Sequence, residues 1–268
     1  MAELASGSVP PEGDSSSAPG TKGRRTWWSR FLDLIFPSVC HACGCSTPGN
    51  HSLCEPCGAA IPSLRSPFCL RCAEEFEGKI TGNFECPNCR MLEFDFAFAR
   101  PAVANHPVVL AMIHELKYQK RIHLAPELGR IAARSFAEDP RLLEALQDRW
   151  PLVPVPLHRR RELWRYFNQA EEIARPISAI TGLPCCRALV RQRGTGSQTR
   201  LSRAQRLQNL RGAFALSKQG KALLAKDKPG GVVLVDDVFT TGATTGECAR
   251  VLRRAGIQKV VVVTVMRG

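Results

Sequence analysis

From Pro107 onward the apolar residues recur every three or four positions. Val109, Met112, Ile113 and Leu116 share one face of "PVVLAMIHELKYQK", and the spacing predicts a helix there. A second helix is predicted over about 125–137 and a short third over 142–146. "WPLVPVPL" then reads as a buried strand closed by Pro154 and Pro156, and "QAEEIARPISAITG" as a helix that Pro176 kinks or splits. Residues 186–216 hold a short strand, a Gly-containing loop, the helix "LSRAQRLQNL" with Ser202 and Gln205 as a capping box, and the strand "GAFAL". "VVLVDDVFTTGATTGECARVLRRAG" and the strand "KVVVVTV" complete the chain. Such alternation predicts an α/β domain from about 95 to 268, with parallel strands joined by crossover helices and both sheet faces covered.

The N-terminal part follows no such rhythm. Residues 1–25 are rich in Ser, Pro and Gly and lack an apolar run, so a disordered tail without signal peptide or anchor is expected. In "WWSRFLDLIFP", Trp28, Phe31, Leu32 and Ile35 fall at helical spacing before Pro37, which predicts a short packing helix. Apolar runs such as 260–263 are far below the roughly 20 residues of a bilayer span, so a soluble cytoplasmic protein with no membrane insertion is expected.

Eight of the 12 cysteines form four C-x-x-C pairs: Cys40/Cys43, Cys54/Cys57, Cys69/Cys72 and Cys86/Cys89. Paired thiolates on tight knuckles suit tetrahedral zinc, and a disulfide framework is disfavoured without a secretion signal. Residues 38–92 hold little aliphatic sequence, so their fold is expected to depend on metal. Residues 26–92 are therefore expected to form a helix and a double zinc ribbon with two structural Zn2+ ions. Cys45 is a spare candidate ligand, and Cys185, Cys186 and Cys248 read as small hydrophobes.

The net charge of +13 suits a protein that meets phosphates. At the end of "VVLVDD" the chain reaches the place where open parallel sheets bind ligands. A helix beginning near Thr244 or Thr245 would offer unpaired amides to an anion, with Gly242 permitting close approach and Thr240, Thr241 and Thr244 adding hydroxyls. Carboxylates repel phosphate, so Asp236 and Asp237 suit ribose hydroxyls or hydrated magnesium. No Walker or G-x-G-x-x-G pattern occurs, and no Ser-His-Asp or Cys-His arrangement stands out.

"VVLVDDVFTTGAT" resembles the signature of type I phosphoribosyltransferases, which bind phosphoribosyl pyrophosphate (PRPP). "VPVPLHRRRELWRYFNQAEEIAR", "LVRQRGTGSQTRLSRAQRLQNLRGAF" and the C-x-x-C pairs are similar to the ComF family, a double zinc ribbon joined to such a domain and associated with DNA uptake. The resemblance covers nearly all of 35–268. It implies PRPP and Mg2+ as ligands, transfer of a phosphoribosyl group to an unidentified acceptor, and single-stranded DNA and the uptake machinery as partners. It also implies that Asp236 and Asp237 hold the ribose, that Thr240, Thr241, Gly242, Ala243 and Thr244 cradle the 5′-phosphate, and that Arg159, Arg160 and Arg161 meet pyrophosphate. Residues 191–209, with Arg191 and Arg193, correspond to a mobile loop. The family's "RGFNQA" is here "RYFNQA", with Tyr166 in place of Gly. Lys117 matches the family, yet a lone Lys on an amphipathic helix reads as surface.

Residues 187–211 contain seven Arg and no acidic residue, an uncompensated positive field for pyrophosphate or nucleic acid. With two Tyr and four Trp, the composition offers no obvious aromatic platform for single strands.

Overall fold

The computed structural model describes residues 38–49, 51–76, 78, 84–91, 93–194, 210–226 and 228–268. The tail, the packing helix before Pro37 and the capping-box helix at 202 lie outside the described residues.

The valine-rich runs near the C-terminus become the centre of the sheet. β5 (Gly231–Phe239) and β6 (Lys259–Arg267) pair in parallel from Gly231↔Lys259 to Phe239↔Arg267. β1 (Phe98–Val103) joins β6 and β2 (Leu152–Pro154) joins β5, giving the order β1-β6-β5-β2 with every pairing parallel. Pro101 lies within β1, tolerated because this strand is at the sheet's margin. Successive side chains on β5 and β6 enter opposite cores. Val233, Val235, Val261 and Val263 pack with α3 (Pro107–Tyr118), α4 (Ala125–Glu138) and α7 (Gln169–Thr181). Val232, Leu234, Val260 and Val262 pack on the other face with α9 (Ala243–Arg254).

Of the two outcomes expected at Pro176, a kink or a split, the split does not occur. One helix spans Gln169–Thr181, and Gly129 of α4 makes room for the ring: a Cβ at 129 would lie 2.1 Å from Pro176 Cγ. Uniform parallel pairing also fails at one place. β3 (Leu189–Arg191) and β4 (Phe214–Leu216) form a separate antiparallel pair, because they are the two ends of one loop and the chain returns along itself. α8 (Lys218–Lys226) follows β4, and α5 (Leu143–Gln147) and α6 (Arg159–Arg165) flank β2.

The cysteine-rich segment contributes short helices α1 (Glu55–Ala59) and α2 (Pro87–Arg90), and Ser38–Gly268 form one compact unit. From the linker between the ribbons into the first knuckle of the second, the chain runs along the outer edge of β1: Leu64 N donates to Ala102 O at 2.9 Å and Ala99 N to Arg71 O at 2.9 Å. Arg100 Nη2 donates to Leu64 O, Arg141 Nη1 to Leu70 O and Arg134 Nη2 to Gly58 O, tying the segment to the α/β core. Among the described residues no helix is long and apolar enough to cross a membrane.

Candidate functional site

Each ribbon starts with the same knuckle. Cys40 N donates to Cys45 O and Gly44 N to Cys40 O; twenty-nine residues later Cys69 N donates to Glu74 O and Ala73 N to Cys69 O. Gly44 and Ala73 both take positive φ, +74° and +56°, at the reversal. The second half of each ribbon places a cysteine, Cys54 or Cys86, at the N-cap of α1 or α2. The result is two tetrads, Cys40/Cys43/Cys54/Cys57 and Cys69/Cys72/Cys86/Cys89, each with its sulfurs within 4.8 Å of one another.

A tetrahedron of Zn–S bonds of about 2.3 Å has edges of about 3.8 Å. Cys43 Sγ and Cys54 Sγ are 3.7 Å apart, and Cys72 Sγ and Cys86 Sγ 3.6 Å. Both tetrads fit structural zinc. Burial alone would raise Cys40, but backbone N–H groups of Cys54, Cys43 and Ala42 outweigh it and bring the thiol down to about 6. Cys45 stands outside the tetrad, and the sulfurs of Cys43 and Cys54 push its thiol up to about 12. Of the other cysteines, Cys248 is fully buried, Cys186 is half-buried and Cys185 is exposed rather than packed.

Asp236 and Asp237 occupy the carboxyl end of β5. Asp237 is 4% exposed and pairs with Lys117, the lysine that its helix pattern alone would leave at the surface. Burial pushes the Asp237 carboxyl up, but the Lys117 ammonium outweighs it and holds the group below the usual carboxylate range. Burial, and then the charge of Asp237, push Asp236 well above that range. The pair thus divides into a fixed anion and a carboxyl whose ionisation a cation or hydroxyl donors would favour.

The loop after β5 turns at Gly242, φ +74°, which caps α9; the helix starts at Ala243, a residue before the expected position. A Cβ at 242 would lie 3.0 Å from both the Phe239 and Phe94 rings, so glycine is required by the backbone and by its neighbours. Asp236 and residues 238–245, including Thr240, Thr241, Ala243 and Thr244, enclose a cradle of about 50 Å³. Phe94 stacks on Phe96 at 4.7 Å, and Phe96 meets Phe239 edge-on at 5.9 Å, so aromatic rings leaving the second ribbon floor this loop.

A cleft of about 540 Å³ opens beside the cradle, with Asp236, Asp237 and Thr244 on one wall and Lys117, Arg161, Arg165 and Arg191 around them. Arg191 ends β3, and burial followed by the charge of Arg161 lowers its pKa. The three adjacent arginines diverge because α6 starts at Arg159. Arg161 faces the aspartates; Arg159 lines a neighbouring cleft of about 680 Å³ with Arg187 and Lys218; Arg160 lines neither. Arg193 is exposed and donates through Nη2 to Arg211 O across the β3–β4 loop. Residues 195–209 of the expected mobile loop, with Arg200, Arg203 and Arg206, lie outside the described residues.

Arg165 was not singled out by sequence reasoning. It is buried, donates to Gln169 Oε1 at 2.8 Å and lies 5.5 Å over the Tyr118 ring. Its spacing from Arg161, one helical turn, is the signal that could have found it. His158 caps α6, its Nδ1 accepting from Arg160 N at 3.4 Å.

Fold and site together define a double-zinc-ribbon protein whose parallel α/β domain presents an aspartate pair, an anion-sized loop and clustered cations at one strand end. A double zinc ribbon domain matches residues 31–90. The chain is 32% identical over 239 residues to DNA utilization protein YhgH of Escherichia coli K12, covering 86% of this chain and 91% of that one. It is 30% identical to the protein of the same name from Salmonella typhimurium, over 86% and 91% of the two chains. It is 27% identical to Competence protein F of Haemophilus influenzae, over 79% and 88%. The chain belongs to the ComF family, that of Competence protein F and YhgH.

Proposed function

We propose that this chain binds PRPP with magnesium at the β5 strand end and transfers its phosphoribosyl group to an acceptor, in connection with DNA uptake. The observation that carries the reading is the junction itself: a carboxylate pair for ribose hydroxyls runs directly into an anion-sized, glycine-capped loop, with Lys117, Arg161, Arg165 and Arg191 around the adjoining cleft. In the transfer the bond from C1′ to the pyrophosphate oxygen breaks and a bond from the acceptor's nucleophile forms, with positive charge on the ribose between. Arg161 and Arg191 would offset charge on the leaving pyrophosphate, and Asp236 and Asp237 would orient the ribose and stabilise its positive character. Magnesium, when bound with the substrate, spreads the pyrophosphate charge.

Titration of PRPP with magnesium, beside inorganic phosphate, into wild type and the Asp236→Asn, Asp237→Asn double variant tests this. PRPP binding should weaken by on the order of 1–3 kcal/mol per lost charged hydrogen bond, while phosphate still occupies the loop. Unchanged PRPP binding in a folded double variant would overturn the reading.

A second reading, handling of single-stranded DNA, draws support from the relatives' names and from the Arg-rich, acid-free segment 187–211. Its affinity should fall steeply with salt, by roughly 0.7 in logarithmic slope per phosphate contact. A flat response would count against it.

A further inference from the structure

Three exposed aromatic side chains stand at the C-terminal ends of α3 and α6, beside the cleft. Tyr118 closes α3, Trp164 lies in the last turn of α6, and Tyr166 follows that helix; they are 53%, 52% and 82% exposed. Tyr118 and Trp164 line the cleft with the aspartates. The Lys120 ammonium lies 5.3 Å from the Trp164 ring centroid and 4.4 Å from that of Tyr166. The composition offers few aromatics, yet both tyrosines of the chain and one tryptophan are placed at these two helix ends.

The backbone gives the second observation. Lys120 and Tyr166 both hold left-handed conformations, φ +58° and +70°. Each costs about 1 kcal/mol that glycine would not incur. Glycine is the residue the ComF resemblance implies at 166. This chain instead carries there a large aromatic ring that faces solvent and adds nothing to either core. An apolar protein partner would have to bury the Lys120 charge without a counter-ion, which is costly. A nucleotide brings its own phosphate to that cation and a flat ring to the aromatic faces.

We propose that Trp164, Tyr166 and Lys120 form a stacking site for a nucleobase at the mouth of the cleft. The ring is that of a single nucleotide or of a base within a single strand, and the shared chemistry is a planar heterocycle beside a phosphate. The site deepens the phosphoribosyl reading by naming what stands at the cleft entrance, and it rests on that reading only for the chemistry that follows stacking.

The test compares binding of a short oligothymidylate, an abasic strand of equal length, adenosine monophosphate, magnesium pyrophosphate and PRPP with magnesium to wild type, Tyr166→Gly and Tyr166→Phe. Glycine relieves the left-handed strain, so that variant should fold. The base-bearing strand should bind wild type on the order of tenfold tighter than the abasic strand. Tyr166→Gly should remove most of that difference without weakening pyrophosphate binding, and Tyr166→Phe should retain it. A parallel loss of adenosine monophosphate binding in Tyr166→Gly assigns the site to single nucleotides as well, whereas loss with the strand alone assigns it to bases in a chain. Equal binding of base-bearing and abasic strands by wild type, or a glycine variant that discriminates as wild type does, overturns the proposal. Absent pyrophosphate and PRPP binding with base discrimination intact would instead defeat the phosphoribosyl reading and leave the stacking site standing.

Discussion

The first tetrad exposes Cys43, half-buries Cys54 and Cys57, and leans through Cys40, Leu53 and Ile61 on the core formed by α3 and α4. In the second, all four cysteines are buried in the core that holds Phe94, Phe96, Phe239 and Ala243 beneath the anion loop. Ligand set and knuckle are the same, yet the two ribbons serve opposite faces of one sheet. A metal site's importance therefore depends on what its apolar skin touches, and only the second ribbon is continuous with the floor of the candidate site. At the first, polar contacts at the periphery accompany the apolar ones: His41 with Glu115 at 3.0 Å, Ser52 with His123 O at 3.3 Å.

The largest expected effect is on the buried tetrad. Cys86→Ser should lose one zinc and, with it, much of the on the order of 10 kcal/mol that a structural zinc contributes to its module. Elemental analysis, thermal melting and phosphate titration should show one metal lost, a lower melting point and abolished anion binding together. Retained phosphate affinity with the second metal gone would break the link between ribbon and loop.

Gly242→Val separates loop from metal. Left-handed strain of about 1–3 kcal/mol, added to overlap with Phe94 and Phe239, should lower stability and phosphate affinity. Zinc content, measured on the same sample, should stay at two.

Cys57→Ser should also cost one zinc, and the more exposed site should be the first to yield metal to a chelator. Phosphate affinity should change by less than about 0.5 kcal/mol, as between positions that share no contacts. A loss as large as that of Cys86→Ser would erase the distinction between the ribbons.

The smallest effect concerns Asp139, which binds Arg141 and approaches Arg100 where the inter-ribbon chain meets the α/β core. Burial pushes its carboxyl up, but the Arg141 hydrogen bonds outweigh this and hold it below its ordinary value. A lowered folded pKa means stability that is present above the unfolded value of about 3.9 and lost as pH falls through the folded one. Asp139→Asn should flatten the acid limb of a melting-point titration below about pH 4 while leaving zinc content unchanged.

Much of this arrangement was readable in the chain. The helices of 107–118 and 125–138 announced themselves because one face is apolar and the other solvated, and the C-x-x-C spacing anticipated both tetrads. β1 did not, since Pro101 interrupts its pattern and only its place at the sheet's margin makes the proline tolerable. The close seating of the Pro176 ring against Gly129, forty-seven residues away in sequence, is likewise information that no local rule carries. The candidate site divides the same way. Asp236, Asp237 and the threonine loop are contiguous and legible, whereas Lys117, Arg165 and the aromatic lip become neighbours only when α3 and α6 converge. Adjacent arginines 159–161 read as a unit, but helical geometry sends them in different directions.

The strand of chain between the ribbons has a further consequence for solubility. A parallel sheet ends in rows of unpaired amides and carbonyls, and such a row invites another molecule's strand. On the β1 side, Leu64 and Arg71 already occupy part of that row, donating to Ala102 O and accepting from Ala99 N. The segment is held at both ends by cysteine clusters, so metal fixes a cover over an otherwise adhesive margin. Newly made chain that has folded its α/β half but not yet acquired zinc would present that margin bare, and its fate would be self-association rather than simple loss of binding.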